Sequence, residues 1–310
     1  MSHRFPLQDM PAALRTLMAR LGPVWGEDIV GHTAQVRAAY LPLLQAAPRD
    51  GVRVVRDLAY GAHARQILDI YLPAAAEAAA AAPAPVVLFV HGGAFVRGDK
   101  DVNAEIFANV LTWFARQGCI GVNIEYRLAD IAPWPGGAED VAAACAWVRR
   151  EIAGYGGDPQ RMCLIGHSAG GTHVASYAFD PALGYRARDV SHLVLISARL
   201  RADTAPENPN AANVVRYFGA DPALFEQRSP LTHGADCDKP MFIVCAEYEN
   251  PLLDIYGLEL AWRVAKARGH APRYLSLRGH NHTSIMAHFN TREEILGREI
   301  LDFFLGFNPS

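Results

Sequence analysis

The chain has 310 residues, 51% of them hydrophobic, enough for one sizeable α/β core. Its 29 basic and 32 acidic residues leave a formal charge of −3 without a long run of either sign, which argues against a nucleic-acid partner. Five scattered cysteines with no close Cys-x-x-Cys pair read as reduced core residues of a cytoplasmic protein. No hydrophobic signal segment is read at the start and no apolar stretch is long enough for a membrane span.

Residues 7–21 are predicted as an amphipathic helix, with Leu14, Leu17, Met18 and Leu21 at helical spacing and Gly22-Pro23 as the break. A second helix is expected over 33–47, with Val36, Tyr40, Leu43 and Leu44 on one side. Residues 1–50 are then an N-terminal helical arm or a cap over a pocket, since amphipathicity establishes burial and not purpose. The α/β domain, 51–310, opens with two alternating segments, 52–60 and 67–72, that form an antiparallel hairpin. Residues 74–85 are almost all alanine and proline and read as an exposed connection. Residues 86–90 are a continuous apolar run, as expected of a strand covered on both faces.

Strand and helix signals then alternate. Helices are expected over 103–117, 138–155, 169–179, 254–268 and 283–304, the last divisible into two pieces. Strands are expected over 119–124, 162–165, 190–196, 241–246 and 273–277. This order argues a mostly parallel sheet with helices on both faces. The pattern lapses over 198–231, with short helices at 213–218 and 223–227. An insertion of that length is a lid or pocket wall, or a plain excursion.

The strand at 162–165 runs into Gly166-His167-Ser168-Ala169-Gly170-Gly171. Gly166-x-Ser168-x-Gly170 has the spacing of a nucleophile elbow, a sharp strand-to-helix turn with the serine at its apex. Glycine is needed where a side chain would strike the neighbouring strand or helix. The Ala169 N–H is left at a helix start, aimed where negative charge develops. His91-Gly92-Gly93-Ala94-Phe95 follows the 86–90 strand, and the Gly92 and Gly93 N–H groups are the expected partners of Ala169 in an oxyanion hole. His91 is read as organising that loop.

A base belongs in the loop after the 273–277 strand, where His282 is favoured over His280. An acid belongs after the 241–246 strand, where Glu249 is favoured over Glu247, a loop brace, and Asp254, a first-turn residue of the next helix. His280, His282 and His288 lie close in sequence, but no common zinc spacing is completed, so no metal and no cofactor are expected. Tyr126-Arg127, Asp140 and Asp158 read as structural, Asp140 as a carboxylate favoured near a helix start. Trp134 and Phe95 line an acyl pocket or plug the core.

The His91–Phe95 loop, Glu125-Tyr126-Arg127-Leu128, the stretch Trp134-Pro135-Gly136-Gly137-Ala138-Glu139-Asp140-Val141, Gly156-Gly157-Asp158-Pro159 and the elbow together resemble the α/β-hydrolase superfamily, from about residue 55 to the end. Within it they resemble the esterases grouped with hormone-sensitive lipase. The resemblance implies an α/β-hydrolase fold, with a mostly parallel eight-stranded sheet flanked by helices, and a catalytic domain over 51–310. It also implies a triad of Ser168, Glu249 and His282, with Gly92, Gly93 and Ala169 as the oxyanion hole. Glu247-Tyr248-Glu249-x-Pro251 is similar to a subgroup that includes kynurenine formamidases. The chain departs from the commonest pattern in having Glu249 where aspartate is usual, and Asn281-His282-Thr283 lacks the phenylalanine often found after the histidine. The expected function is a serine carboxylesterase acting on small or medium carboxylic esters through an acyl-enzyme. An arylformamidase and a non-catalytic hydrolase-fold binding protein are the alternatives. The expected partner is a small-molecule ester, with no nucleic acid and no membrane span, and a homo-oligomer is left open.

Overall fold

The computed structural model describes residues 9–74 and 82–306. The expected helical start at 7–8 and most of the alanine-rich connection, 75–81, lie outside the described residues. Helix α1 is Ala12–Leu21, and Gly22-Pro23 continues it as a 3-10 turn, Gly22–Glu27, rather than a break. Helix α2, Ile29–Gln45, begins earlier than the apolar pattern suggests. The cause is Asp28, whose Oδ1 accepts the Gly31 N–H at 2.9 Å and caps the helix.

The sheet holds β1 Val52–Ala59, β2 Ile67–Pro73, β3 Ala84–Val90, β4 Ile120–Ile124, β5 Gly157–His167, β6 His192–Ile196, β7 Met241–Tyr248 and β8 Arg273–Asn281. These eight strands run in the order β1-β2-β4-β3-β5-β6-β7-β8. Strand β2 is antiparallel to both neighbours and the remaining pairs are parallel, so the α/β architecture and the opening hairpin are as expected. Alternate residues of β3 face opposite layers: Val86, Leu88 and Val90 face one core, Val87 and Phe89 the other. The first core is covered by α4 Gly136–Glu151, α5 Ala169–Phe179 and α9 Leu253–Arg268; the second by α1, α2, α3 Ala108–Arg116 and α11 Ile295–Leu305. Between β6 and β7 lie the short helices α6 Ala211–Phe218, α7 Phe225–Arg228 and α8 Pro230–His233.

Two boundaries differ from the sequence pattern for identifiable reasons. Residues 103–107 are not helical, because Asn103, Ala104 and Phe107 have φ of 56°, 59° and 82° and the Asn109 side chain takes the Phe107 N–H at 2.8 Å. The last helical segment is in two pieces, as the sequence allowed, α10 Ser284–Ala287 preceding α11. Strand β8 runs on to Asn281, which draws His280 into the sheet. In an open parallel sheet the carboxyl ends of the strands form the crevice where ligands bind. Here Val90 pairs with Gly166, so the glycine loop and the elbow leave adjacent strands side by side.

The elbow depends on its glycines. A Cβ on Gly170 would lie 2.2 Å from the Val90 carbonyl oxygen and 2.4 Å from that of His91. Gly170→Ala is therefore expected to destabilise the fold by about 1–3 kcal/mol, read from urea midpoints. An unchanged midpoint would contradict this packing. Burial, and next the charge of His91, push the His173 imidazole down to about 3; burial, and next His280, push His288 down to about 4. Both sit below the ordinary 6.5, so their stabilising contribution is complete above 6.5 and is lost as the pH falls through the folded values. The loss is up to about 1.4 kcal/mol per pH unit for each imidazole. Urea midpoints should fall between pH 7 and 4, less steeply in His288→Gln; parallel profiles would rule out a contribution from His288.

Candidate active site

Ser168 stands between β5 and α5 with φ 55° and ψ −120°, a conformation few non-glycine residues adopt. It is held by its own N–H, which donates to the Ile196 carbonyl at 3.0 Å, and by its carbonyl, which accepts from Arg199 N at 3.3 Å. The serine is thus anchored to the end of β6 and its side chain stands clear of the sheet.

His282 follows the end of β8. Its Nε2 is 3.1 Å from Ser168 Oγ and its Nδ1 is 2.8 Å from Glu249 Oε2. Glu249 follows β7 and is nearly sealed from solvent. Its other oxygen accepts the Ser197 hydroxyl and the Ala246 N–H, and the Asn250 N–H approaches Oε2 at 3.2 Å. The carboxylate is therefore fixed from three sides while one oxygen faces the imidazole. His167 lies against His282, with Nε2 3.2 Å from the His282 carbonyl oxygen. Burial, and next the His282 charge, hold His167 well below the ordinary histidine value, which leaves it neutral beside a ring that can charge.

The competitors go elsewhere. His280 is fully buried, with Nε2 2.8 Å from Glu293 and Nδ1 3.1 Å from Ser284 Oγ, and it does not meet Ser168. His288 packs on His280, so the three neighbouring histidines do not converge on one point. Glu247 accepts the Gly279 N–H at 2.6 Å and braces β8 against β7. Asp254 sits in the first turn of α9.

The glycine loop is braced by its histidine. His91 Nδ1 is 2.8 Å from the Gly92 carbonyl and Nε2 is 2.8 Å from Glu125 Oε1. Burial pushes the Glu125 carboxyl up, but the hydrogen bond and charge of His91, with Arg65, outweigh it and leave the group below its ordinary range. The N–H groups of Gly92 and Gly93 donate to no protein acceptor among the described residues. The Ala169 N–H is one of the orphan donors of the first turn of α5.

Arg127 clamps Asp140, whose oxygens accept the Arg127 N–H at 2.7 Å and Nε at 2.9 Å. Asp140, near the start of α4, thus also holds the chain beyond the end of β4. Asp158 accepts the Gln160 N–H within β5. Phe95 is buried, stacked on Tyr217 with ring centroids 4.6 Å apart, and Trp134 packs in the same cluster beneath the Arg228 guanidinium. The five cysteines are free and buried.

Two cavities meet Ser168. One, about 330 Å³, is bounded by Gly92, Gly93, Ser168 and His282 and by Thr33 and Arg37 of α2. The other, about 150 Å³, is bounded by Phe95, Ser168, Ala169, Arg199, Pro209 and Asn210. Sequence spacing did not reveal Ser197, His167, Arg37 or the Trp25 Nε1 to Asn250 Oδ1 bond of 2.9 Å, because each joins segments remote in the chain. No helix among the described residues is long and apolar enough to cross a membrane.

The family model BD-FAE matches residues 68–180, which include the glycine loop and the elbow. Esterase LipI of Mycobacterium tuberculosis is 38% identical over 200 residues, covering 56% of this chain and 58% of that protein. Esterase LipQ of the same organism is 30% identical over 233 residues, covering 69% of this chain and 53% of that protein. The chain thus spans little more than half the length of either relative. Inhibited esterase B from Lactobacillus rhamnosis superposes with a TM-score of 0.72 at 20% identity, over 94% of this chain and 96% of that one. A bacterial heroin esterase superposes with a TM-score of 0.65 at 24% identity, over 89% and 92%. At those identities the solved structures speak for the fold. That fold is an eight-stranded, mostly parallel sheet flanked by helices, and the sequence matches make the chain similar to esterases over part of their length.

Proposed function

We propose that the protein is a serine hydrolase that cleaves small or medium carboxylic esters through an acyl-enzyme. One observation carries this reading: the unbroken hydrogen-bonded chain from Ser168 Oγ through His282 to Glu249, at 3.1 and 2.8 Å, beside free N–H donors. Ser168 Oγ attacks the ester carbonyl carbon while His282 Nε2 takes the hydroxyl proton. Glu249 holds the ring through Nδ1–H and stabilises the imidazolium. The carbonyl oxygen, now negative, is held by the N–H groups of Gly92, Gly93 and Ala169. His282 returns the proton to the leaving alcohol. It then takes a proton from the water that attacks the acyl-enzyme, and Ser168 is regenerated.

Esterases among the relatives and fold neighbours favour an ester. The same groups serve a formyl anilide, so N-formylkynurenine belongs in the assay beside the 4-nitrophenyl esters. Fluorophosphonate labelling separates an enzyme from a hydrolase-fold binding protein. Ser168→Ala should lose labelling and turnover, with roughly 10³–10⁴-fold catalysis over water surviving. His282→Ala should be nearly as inactive. Glu249→Gln should fall by up to about 10⁴-fold, since the amide cannot neutralise the imidazolium. His280→Ala and Glu247→Gln should retain measurable turnover. An active His282→Ala with a dead His280→Ala would reassign the base.

We also infer that the described part of residues 1–50, and residues 198–231, supply pocket walls. Support comes from Ile29, Thr33 and Arg37 on one cavity and Pro209 and Asn210 on the other. A covalent phosphonate on Ser168 should slow hydrogen exchange in both α2 and the 203–218 region. Identical exchange with and without the inhibitor would refute the inference.

A further inference from the structure

The larger cavity carries a charge that the hydrolytic machinery does not use. Ile29, Thr33 and Arg37 of α2 are spaced four apart and present one stripe of the helix to it. Arg97, from the loop after β3, lines the same space. No carboxylate among the described residues forms an ion pair with Arg37 or Arg97. Asp99 also lines the cavity but lies 3.8 Å from Arg65. The Arg37 Nε is buried and has no hydrogen-bond partner. Burial, and next the Arg97 charge, lower the affinity of the Arg37 guanidinium for its proton, so two like charges share this wall.

Such an arrangement costs free energy in the empty protein. A buried guanidinium donor left unpaired loses its hydration without compensation, and a second cation adds repulsion. An anion between the two would relieve both. Arg37 and Arg97 weighed against Asp99 leave one positive charge, which suits a monoanion. A guanidinium fork also matches the two oxygens of a carboxylate. Ser168, His282 and the Gly92–Gly93 loop bound the same cavity, so a molecule with its scissile carbonyl at Ser168 extends toward the arginines.

We propose that the substrate is an ester bearing a free carboxylate away from the scissile bond, and that Arg37 and Arg97 bind that carboxylate. This rests on the ester-hydrolase reading and narrows its substrate class. Neither arginine touches the reacting atoms, so both are specificity-determining residues.

Two matched pairs test it. Mono-4-nitrophenyl adipate against 4-nitrophenyl heptanoate puts the charge on the acyl side; 3-carboxyphenyl butyrate against phenyl butyrate puts it on the alcohol side. In at least one pair the charged ester should have the higher kcat/KM, by about 10- to 100-fold, the range of a charge-assisted hydrogen bond. That ratio should collapse toward one in Arg37→Gln and in Arg97→Gln, chiefly through KM, and should shrink with added salt in the unaltered protein. Arg97 is exposed, so its variant reports even if Arg37→Gln folds poorly. Equal or lower kcat/KM for both charged esters overturns the proposal, and so does a ratio that survives both substitutions. Fluorophosphonate labelling at Ser168 is read in parallel. If labelling and all ester turnover are absent, the hydrolase reading fails on its own. Calorimetric binding of the charged and neutral esters to Ser168→Ala, with and without Arg37→Gln, then decides the anion site alone. Tighter binding of the charged ester that depends on Arg37 supports it, and equal binding overturns it.

Discussion

The close approach of α5 to the end of β3 is the constraint on which the rest of the site depends. Gly170 sits so near the Val90 and His91 carbonyls that any side chain there would push the helix away. A Cβ on Gly92 would likewise lie 2.9 Å from the Ser168 Cβ. The two turns therefore touch backbone to backbone. The proposed oxyanion hole needs this close approach, with no side chain between the two turns. The positive φ of Ser168 is the conformational cost of that geometry, offset by the anchors from Ile196 and Arg199. Strands β6, β7 and β8 have a simpler task. They end at the same edge of the sheet and deliver Ser197, Glu249 and His282 to a serine already in place.

Three imidazole–carboxylate pairs occur within this region at the same separation, 2.8 Å: His91 with Glu125, His280 with Glu293, and His282 with Glu249. Distance does not distinguish them; the second nitrogen does. That of His91 faces the Gly92 carbonyl and that of His280 faces a buried hydroxyl, so both rings are used up in holding loops. Only His282 of the three presents its second nitrogen to Ser168 at a cavity wall. A hydrogen-bonded polar pair sealed inside a fold is weak evidence for stability and good evidence for fixed geometry. The two sealed pairs brace the glycine loop and the β8 end, the two segments that flank the proposed nucleophile and base.

Much of this was legible in the sequence because it is written in local spacing. The elbow, the glycine loop and the alternation of strands and helices all lie within short windows, and each reappears where expected. His282 and Glu249 were legible as candidates because they follow strands in the right order. The limits are equally physical. Strand β8 outruns its apolar stretch, since β7 supplies hydrogen bonds as far as Asn281, and no composition rule anticipates that. The 103–107 segment has helical composition, but its backbone is turned aside by positive φ values. Ser197 meets Glu249, and Trp25 meets Asn250, across sequence separations that no periodicity reports. Arg37 carries no signal in the sequence, because a lone cation on an amphipathic helix ordinarily belongs to the solvated face.

The N-terminal segment draws these observations together. Trp25 bonds to Asn250, next to Glu249; the Thr33 hydroxyl is 3.2 Å from that of Thr283, next to His282; and Gly22 packs under the Tyr248 ring. Each contact falls on or just beside a segment that carries one of the proposed catalytic groups. A lid that swings open would have to break all three, exposing the Trp25 indole and loosening the two loops together. A simple packed arm, on the other hand, has no need of a stripe such as Ile29, Thr33 and Arg37 facing a cavity. A fixed wall accounts for both facts. The contacts that hold the N-terminal segment against the site then fall beside Glu249 and His282, so the proposed pocket wall and the positioning of those two residues share one set of contacts.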